Sequence, residues 1–522
     1  MPGIEARTGL AAWRQVCGQV EGLALGSSLA ALLDAGLAPG LLDGVPLGSL
    51  ARNLGAWPGP LHALVRALAL AGWVERRGEP GTDGMTAPLT PRGRAALAAS
   101  LAYRLVPELL ERVERWRRGS GDLARWLELG AGRWGLGRDD PGVEPVQMHL
   151  DGHLALPLLV RLRELLGEVP PETPDLEVLG PTPEERRALP GYLGALGWLD
   201  PDGSLTLQGR KAWRMAGVGA YPLSYLALIR GAPELLRGDP GWLDRRQAEG
   251  REVHVDREAD VRFSGEVSLR LVDGPLADLV LPVFDAPDLD RQPRFLVDVG
   301  CGDGRMLAAL GRAVRERTLR GRHLDSHPLR LLGAEFEEAA ARVAAPVLAA
   351  EDPTSRVLFG DIADPDGLEA RLQAGGASLR EALVLAKSVV HNRGLRPPEE
   401  PESPREAPSR AAFVDAAGQV VPGDRVEGDL RGLFRRWRPH LRHGMVVAEP
   451  HALEEAEAPA LVGRNLAAAL EYTHALSRQH LVEERIFQRA AREAGLESRG
   501  HRATGRQAVG YDSMTFDLFV PT

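Results

Sequence analysis

The sequence predicts a two-part α/β protein, with a helical N-terminal half and a C-terminal half built on a mostly parallel sheet. Three observations carry this expectation. From about Pro275 to the end, a helix and then alternating strand-like apolar runs and helical patterns follow, as in right-handed β–α–β crossovers. One such run, Phe295–Val297, leads through Asp298 into Gly300, Gly302 and Gly304, and a helical pattern starts at Met306. That is a buried strand, a tight glycine turn and a helix N-terminus. The first 265 residues instead show apolar positions at helical spacing.

Taken in order, residues 8–40 read as an amphipathic helical segment. Residues 45–103 read as helix, turn, helix and hairpin, the pattern of a winged helix, with Pro60–Leu70 as its second helix. A weak internal repeat follows. Leu196-Gly-Trp198-Leu199 and Leu205-Thr-Leu-Gln-Gly-Arg echo Ala71-Gly-Trp73-Val74 and Leu89-Thr-Pro-Arg-Gly-Arg, which predicts a second winged unit over about 150–215. The candidate recognition helix carries only His62 and Arg66. Affinity for DNA comes mainly from clustered Lys and Arg, so a dimerisation or lid module is the better reading. Charged and apolar residues alternate over Gly250–Gly265, as in a solvated edge strand or a segment that closes over a ligand pocket.

In the C-terminal half, Leu329–Phe336 is the second strand, with Glu335 near its end, and Arg356–Ile362 is the third, with Asp361. Glu381–Arg393 is the fourth, carrying Lys387, His391 and Arg393. The Pro- and Glu-rich run Gly394–Ser409 reads as a mobile surface insertion. Ala411–Gly418 is a small hairpin and Asp429–Arg438 a helix. Gly444–His451 is the fifth strand. A long helix contains Glu471–Glu483, and Gln507–Val520 supplies the last two strands as an edge hairpin.

Composition narrows the class. With 522 residues, two to four domains are expected; the patterns divide the chain at 1–104, 105–265 and 266–522. Net charge is −9 with both signs mixed and aromatics are 5%, so no nucleic-acid or membrane partner is expected. Two cysteines exclude a disulfide scaffold. The polar start and the absence of an uninterrupted apolar run of 18 residues predict a soluble cytoplasmic protein.

The glycine loop departs from the dinucleotide fingerprint, G-x-G-x-x-G with an acid about 20 residues later. Its G-x-G-x-G spacing, with Asp298 before it and Asp303 inside it, resembles the first motif of class I S-adenosylmethionine (SAM) methyltransferases. The resemblance implies a Rossmann-like methyltransferase sheet and SAM as cofactor, with the loop against its amino-acid end and acids facing its ammonium group. Cofactor-binding candidates are Asp298, Gly300, Gly302, Gly304, Glu335 for the ribose diol, Asp361 for the adenine amino group, Ile362 and Lys387.

Five further pieces narrow the resemblance: Lys387-Ser-Val-Val-His-Asn-Arg393, Val447-Ala-Glu-Pro-His451, Tyr472–Glu483, Gly219–Tyr225 and His254–Arg257. They look like the metal-dependent C-methyltransferases of polyketide-synthase loading modules. That implies a manganese or iron ion held by His391, Glu449, His451, His474 and Gln479. It also implies catalytic roles for His391, Arg393 and His451, and a carbonyl acceptor, small or carrier-bound, methylated at an acidic carbon. A homodimer is a further expectation. After Phe263-Ser-Gly265 the family pattern leads one to expect a histidine and an aromatic, but this chain has Glu266-Val-Ser-Leu-Arg270. The alternative is a metal-free O- or N-methyltransferase in which His391 or His451 is the general base.

Overall fold

The computed structural model describes residues 2–37, 42–120, 122–137, 142–244, 254–396, 407–505 and 511–522. The chain forms two compact units. The first comprises Met1–Arg257, Ala412–Val421 and Glu454–Arg478; the second comprises Glu258–Ala411, Pro422–Leu453 and Gln479–Thr522.

The spine of the first unit is the helix Pro2–Asp34. It is not amphipathic as expected: every position from Val16 to Ala30 is buried. Two glycines show why. A Cβ on Gly22 would lie 2.0 Å from the His149 Cα, and one on Gly152 would lie 1.9 Å from the Gln19 carbonyl oxygen. This helix and Glu144–Leu166 therefore meet backbone to backbone, and residues on both sides of position 104 share one core. Among the described residues Arg7–Asp34 is long and apolar enough to cross a membrane by length and composition, but 94% of that window is buried within the protein.

The internal repeat is present in three dimensions. Thr90 accepts the Gly93 N–H at 3.0 Å and donates to the Gly72 carbonyl at 2.7 Å. Thr206 accepts the Gly209 N–H at 2.9 Å and donates to the Gly197 carbonyl at 2.6 Å. Each threonine thereby caps the helix that follows, Pro91–Ala98 or Leu207–Ser224. A Cβ on Gly93 or Gly209 would meet the Trp73 or Trp198 carbonyl oxygen at 1.9 or 2.2 Å. The expected wings reduce to single antiparallel bridges, Val74↔Leu89 and Arg77↔Thr86 in one copy and Leu199↔Leu205 in the other. The helix Pro58–Leu70 buries both His62 and Arg66. Arg66 is ion-paired with Glu471 at 2.9 Å, so its charge is spent inside the unit.

The second unit holds one seven-stranded sheet: β1 (Phe295–Val299), β2 (Arg330–Glu335), β3 (Arg356–Phe359), β4 (Ala382–Lys387), β5 (Met445–Pro450), β6 (Leu496–Thr504) and β7 (Met514–Pro521). Their spatial order is β3-β2-β1-β4-β5-β7-β6. The first five strands are parallel, and β7 runs antiparallel to both β5 and β6. The apolar residues of β1, β2 and β4 pack with Leu307, Leu310, Val280 and Phe284 in the core. This is the α/β methyltransferase-type sheet with a helical N-terminal region that the sequence predicts. The chain leaves β1 for β2 and β3 and returns to β4, so the switch point lies at the carboxyl ends of β1 and β4, where open α/β sheets bind ligands.

Several boundaries differ from expectation. The segment after His254 is the helix Arg257–Leu271, not an edge strand; its charges fit a helix as well as a strand, and only packing chooses. β4 ends at Lys387, because Ser388 has φ +53° and Val390–Asn392 forms a 3-10 turn. The helix expected through Glu483 stops at Leu476, and Arg478 has φ +60°. The edge hairpin begins at Leu496, well before Gln507. Ala411–Gly418 does turn as a hairpin, bridged at Val414↔Val420. Most of the Pro- and Glu-rich insertion (397–406), residues 250–253 and Gln507–Gly510 lie outside the described residues.

Candidate active site

The glycine loop is tied to β2. Gly300, Gly302 and Gly304 have φ of +76°, +56° and +77°, values that L side chains rarely adopt. A Cβ on Gly300 would also lie 2.7 Å from Val389 Cγ1. The Gly300 and Cys301 N–H groups both donate to the Ala334 carbonyl, at 2.7 and 3.2 Å. The Gly302 N–H donates to Glu335 Oε2 at 2.8 Å. Asp303 Oδ1 accepts the Arg305 N–H at 3.0 Å, at the start of the helix Arg305–Arg317. A phosphate-binding loop presents these N–H groups and its helix N-terminus to an anion. Here they are spent internally, and carboxylates already occupy the anion positions.

Charge at the loop is one-sided. Asp298 is fully buried and neither of its carboxylate oxygens has a hydrogen-bond partner. Burial, then Glu335 and Asp303, push it up to about 7, against the opposing pull of Lys387. Lys387 is on the same face of β4 as Leu385, which pairs with Asp298. Burial lowers its pKa most, with Asp298, Asp260, Glu449 and Asp303 opposing that. Its Nζ donates to Ser264 Oγ at 3.1 Å. Arg305 is already paired with Asp303 at 2.6 Å. A buried orphaned carboxylate beside a glycine turn fits a cationic ligand; SAM carries a sulfonium and an ammonium. The site residues therefore fit SAM.

Other cofactor candidates take more definite roles. Glu335 also accepts the N–H groups of Phe336 and Glu337, at 2.9 and 3.1 Å, so it clamps the loop. Asp361 Oδ1 accepts the Ala363 N–H at 2.8 Å. Ile362 is buried, and its carbonyl accepts the Trp437 indole N–H at 2.8 Å. Beside Glu335 and at the end of β3, Phe336 and Phe359 are both exposed, with ring centroids 5.4 Å apart. Ser264 and Gly265 were missed from sequence because their segment reads as a strand. A Cβ on Gly265 would lie 2.1 Å from Asp303 Oδ2, and Arg305 Nη2 donates to the Arg262 carbonyl at 3.2 Å. This helix thus lies directly on the loop; its apolar residues alternate as in a strand, so no signal in the sequence reveals it.

The acceptor-side candidates separate. Glu449 Oε1 lies 2.5 Å from His391 Nδ1 and also accepts the His391 backbone N–H at 2.7 Å. With Nδ1 as donor to the carboxylate, Nε2 carries the lone pair, the arrangement of an oriented general base. Glu449 Oε2 is buried without a hydrogen-bond partner. A cavity of about 10 Å³, the size of one water, is lined by His391, Glu449, His451 and His480.

Arg393 is engaged within the protein. It is 2% exposed, donates to Asp429 at 2.6 Å and to the Val390 and Val426 carbonyls, and so fixes the turn that carries His391. His451 does not converge with Glu449. Its strand ends at Pro450, its Nε2 is bonded to Thr515 Oγ1 at 2.7 Å, and burial lowers it to about 4, so it stays neutral. His474 belongs to the first unit. There its Nδ1 lies 2.7 Å from the Leu470 carbonyl and 2.9 Å from the Tyr221 hydroxyl. Gln479 follows the end of its helix and belongs to the second unit.

Among the described residues no three His, Cys, Asp or Glu side chains are placed to hold a metal ion. The expected manganese or iron set does not assemble as a centre: Glu449 turns to His391 Nδ1, and His451 Nε2 turns to Thr515 instead of toward Glu449.

Residues 252–507 match a methyltransferase family model described as the AprA MT2-like domain. No curated protein matches the chain in sequence. Among solved structures it is similar to the mitomycin 7-O-methyltransferase MmcR, at 18% identity and TM-score 0.41 over 73% of this chain and 97% of that one. It is also similar to an O-methyltransferase family 2 protein from Planctomyces limnophilus, at 14% identity and TM-score 0.41 over 98% and 95%. A third is CalO1, a methyltransferase of calicheamicin biosynthesis, at 18% and 0.37 over 70% and 92%. These three likenesses are too distant to bear on the chemistry. Through its matched segment and its glycine-loop sheet, the chain is a SAM-dependent methyltransferase similar over residues 252–507 to the AprA MT2-like domain.

Proposed function

We propose that the protein methylates a hydroxyl of a natural-product-type small molecule, free or carrier-bound, using His391 as general base. The His391–Glu449 pair carries this reading. A base must be held in one orientation and one tautomer, and a carboxylate 2.5 Å from Nδ1 supports both, with the lone pair on Nε2. SAM, when bound, supplies an electrophilic methyl group on sulfur. Asp298, Glu335 and the glycine loop bind and orient it. His391 takes the acceptor's proton as the oxygen gains the methyl. Glu449 stabilises the resulting imidazolium, and Arg393 keeps the turn in place through Asp429.

Lys387 favours a second reading, methylation of an acidic carbon beside a carbonyl. Its ammonium, on the cofactor side of β4, would stabilise an enolate oxygen without a metal. Incubation with methyl-labelled SAM and panels of phenols and β-dicarbonyl compounds, in chelator, tests both readings. Label on oxygen supports the first and label on carbon the second. Turnover that appears only on adding manganese or iron refutes the metal-free mechanism, and no turnover with His391→Ala but full turnover with Glu449→Gln refutes the dyad.

A further inference from the structure

At the amino-terminal ends of the strands, the second unit carries an open cleft of about 540 Å³, within the size range of small-molecule sites. Its position follows from the elements that build it. Arg380 lies in the 3-10 turn before β4, Arg438, Arg442 and His443 lie in the turn before β5, and Arg499 lies on β6. The antiparallel β7 brings Val520 and Pro521 to the same end, since Phe519 pairs with Met445 at the start of β5. Asp298 and Lys387 are at the other end of the sheet.

The lining has a single sign of charge. Four arginines and His443 face the cleft, and no aspartate or glutamate lines it. Among the described residues the side chains of Arg380, Arg438 and Arg442 form no hydrogen bond or ion pair, while Arg499 is held by Glu497 at 3.1 Å. In a chain of net charge −9, several arginines elsewhere in this unit are paired with carboxylates: Arg312 with Glu351, Arg393 with Asp429 and Arg489 with Glu427. His443 registers the local field, its pKa lowered by burial first and then by Arg442 and Arg320. The floor is apolar, formed by Val283, Leu518, Val520 and Pro521.

We propose that this cleft is a binding site for an organic phosphate bearing adjacent phosphoryl groups. Guanidinium forks match phosphate oxygens in geometry as well as charge. The apolar floor takes the organic part. Because the cleft is at the opposite end of the sheet from the glycine loop, it binds independently of SAM. It is an accessory site, not the acceptor pocket.

Isothermal titration of the full chain with inorganic pyrophosphate and with ADP, in about 150 mM salt, tests this. Expected is saturable one-to-one binding of both, with ADP several-fold tighter because its organic part covers the floor. Binding should weaken at least ten-fold in Arg438→Gln/Arg442→Gln, while SAM affinity stays as in the parent chain and reports that the variant is folded. No saturation below about 5 mM, equal binding by the variant, or competition between ADP and SAM overturns the proposal. So does binding of a Glu-rich peptide with none of pyrophosphate, which would make the cleft a protein-docking surface. The fold-changes are those of losing two charge-assisted contacts.

Discussion

The cofactor side and the acceptor side of the second unit treat charge in opposite ways. At the glycine loop a carboxylate is buried with no partner, and its neighbours Glu335 and Asp303 raise its cost further. Around His391 the groups are paired, His391 with Glu449 and Arg393 with Asp429. The first arrangement waits for a cation to complete it. The second pairs each nitrogen base with a carboxylate, leaving only the Glu449 Oε2 oxygen of those carboxylates without a hydrogen-bond partner. A transferase that consumes a sulfonium and releases a proton needs one of each.

The comparison is broken most severely by removing the proposed base. His391→Ala should lower kcat by about 10³-fold with little change in SAM Kd, measured by methyl transfer and titration calorimetry. Equal losses in both would mean that His391 holds the cofactor instead. On the other side, Gly300→Ala should cost about 100-fold in SAM affinity, since a Cβ at φ +76° would meet Val389; a near-parental Kd would show that the loop shape is not what binds.

Asp298 sharpens the contrast through pH. Below about 7 it is protonated and its attraction for a cation is lost, so SAM affinity should rise between pH 6 and 8. Asp298→Asn should flatten that profile at the weak-binding level. The sign for stability is opposite. The folded carboxyl holds its proton more tightly than an unfolded one near 3.8, so the fold loses stability as pH rises from about 4 to about 7. Asp298→Asn should therefore raise the Tm at pH 8 by roughly 2–4 °C and leave it unchanged at pH 4. The smallest functional effect is expected at His451. Already neutral and bonded to Thr515, its replacement by Asn should change kcat less than about three-fold while costing about 1 kcal/mol of stability, read by denaturant titration.

Much of this was legible in the sequence because it rests on local rules. Three apolar residues, an acid and glycines at spacing two can make little but a strand, turn and helix, so Asp298 to Gly304 were placed correctly. The alternation after Pro275 likewise gave the sheet, and the Gly-Trp and Thr-x-x-Gly echo gave two turns with matching hydrogen bonds. Glu335 and Asp361 fell where strands end.

What the sequence could not decide depended on which partner a side chain finds. His391, Arg393 and His451 are similar as letters, yet a carboxylate orients the first, Asp429 and two carbonyls consume the second, and Thr515 holds the third. The run after His254 has charges that suit a strand edge or a helix; packing on Asp303, through the missing Cβ of Gly265, made it a helix. The N-terminal helix looked amphipathic because its few polar residues are spaced, but Glu21 and Gln19 are buried with the rest. Backbone geometry is set by neighbours along the chain, and the roles of polar groups are set by neighbours in space, which only the tertiary structure brings together.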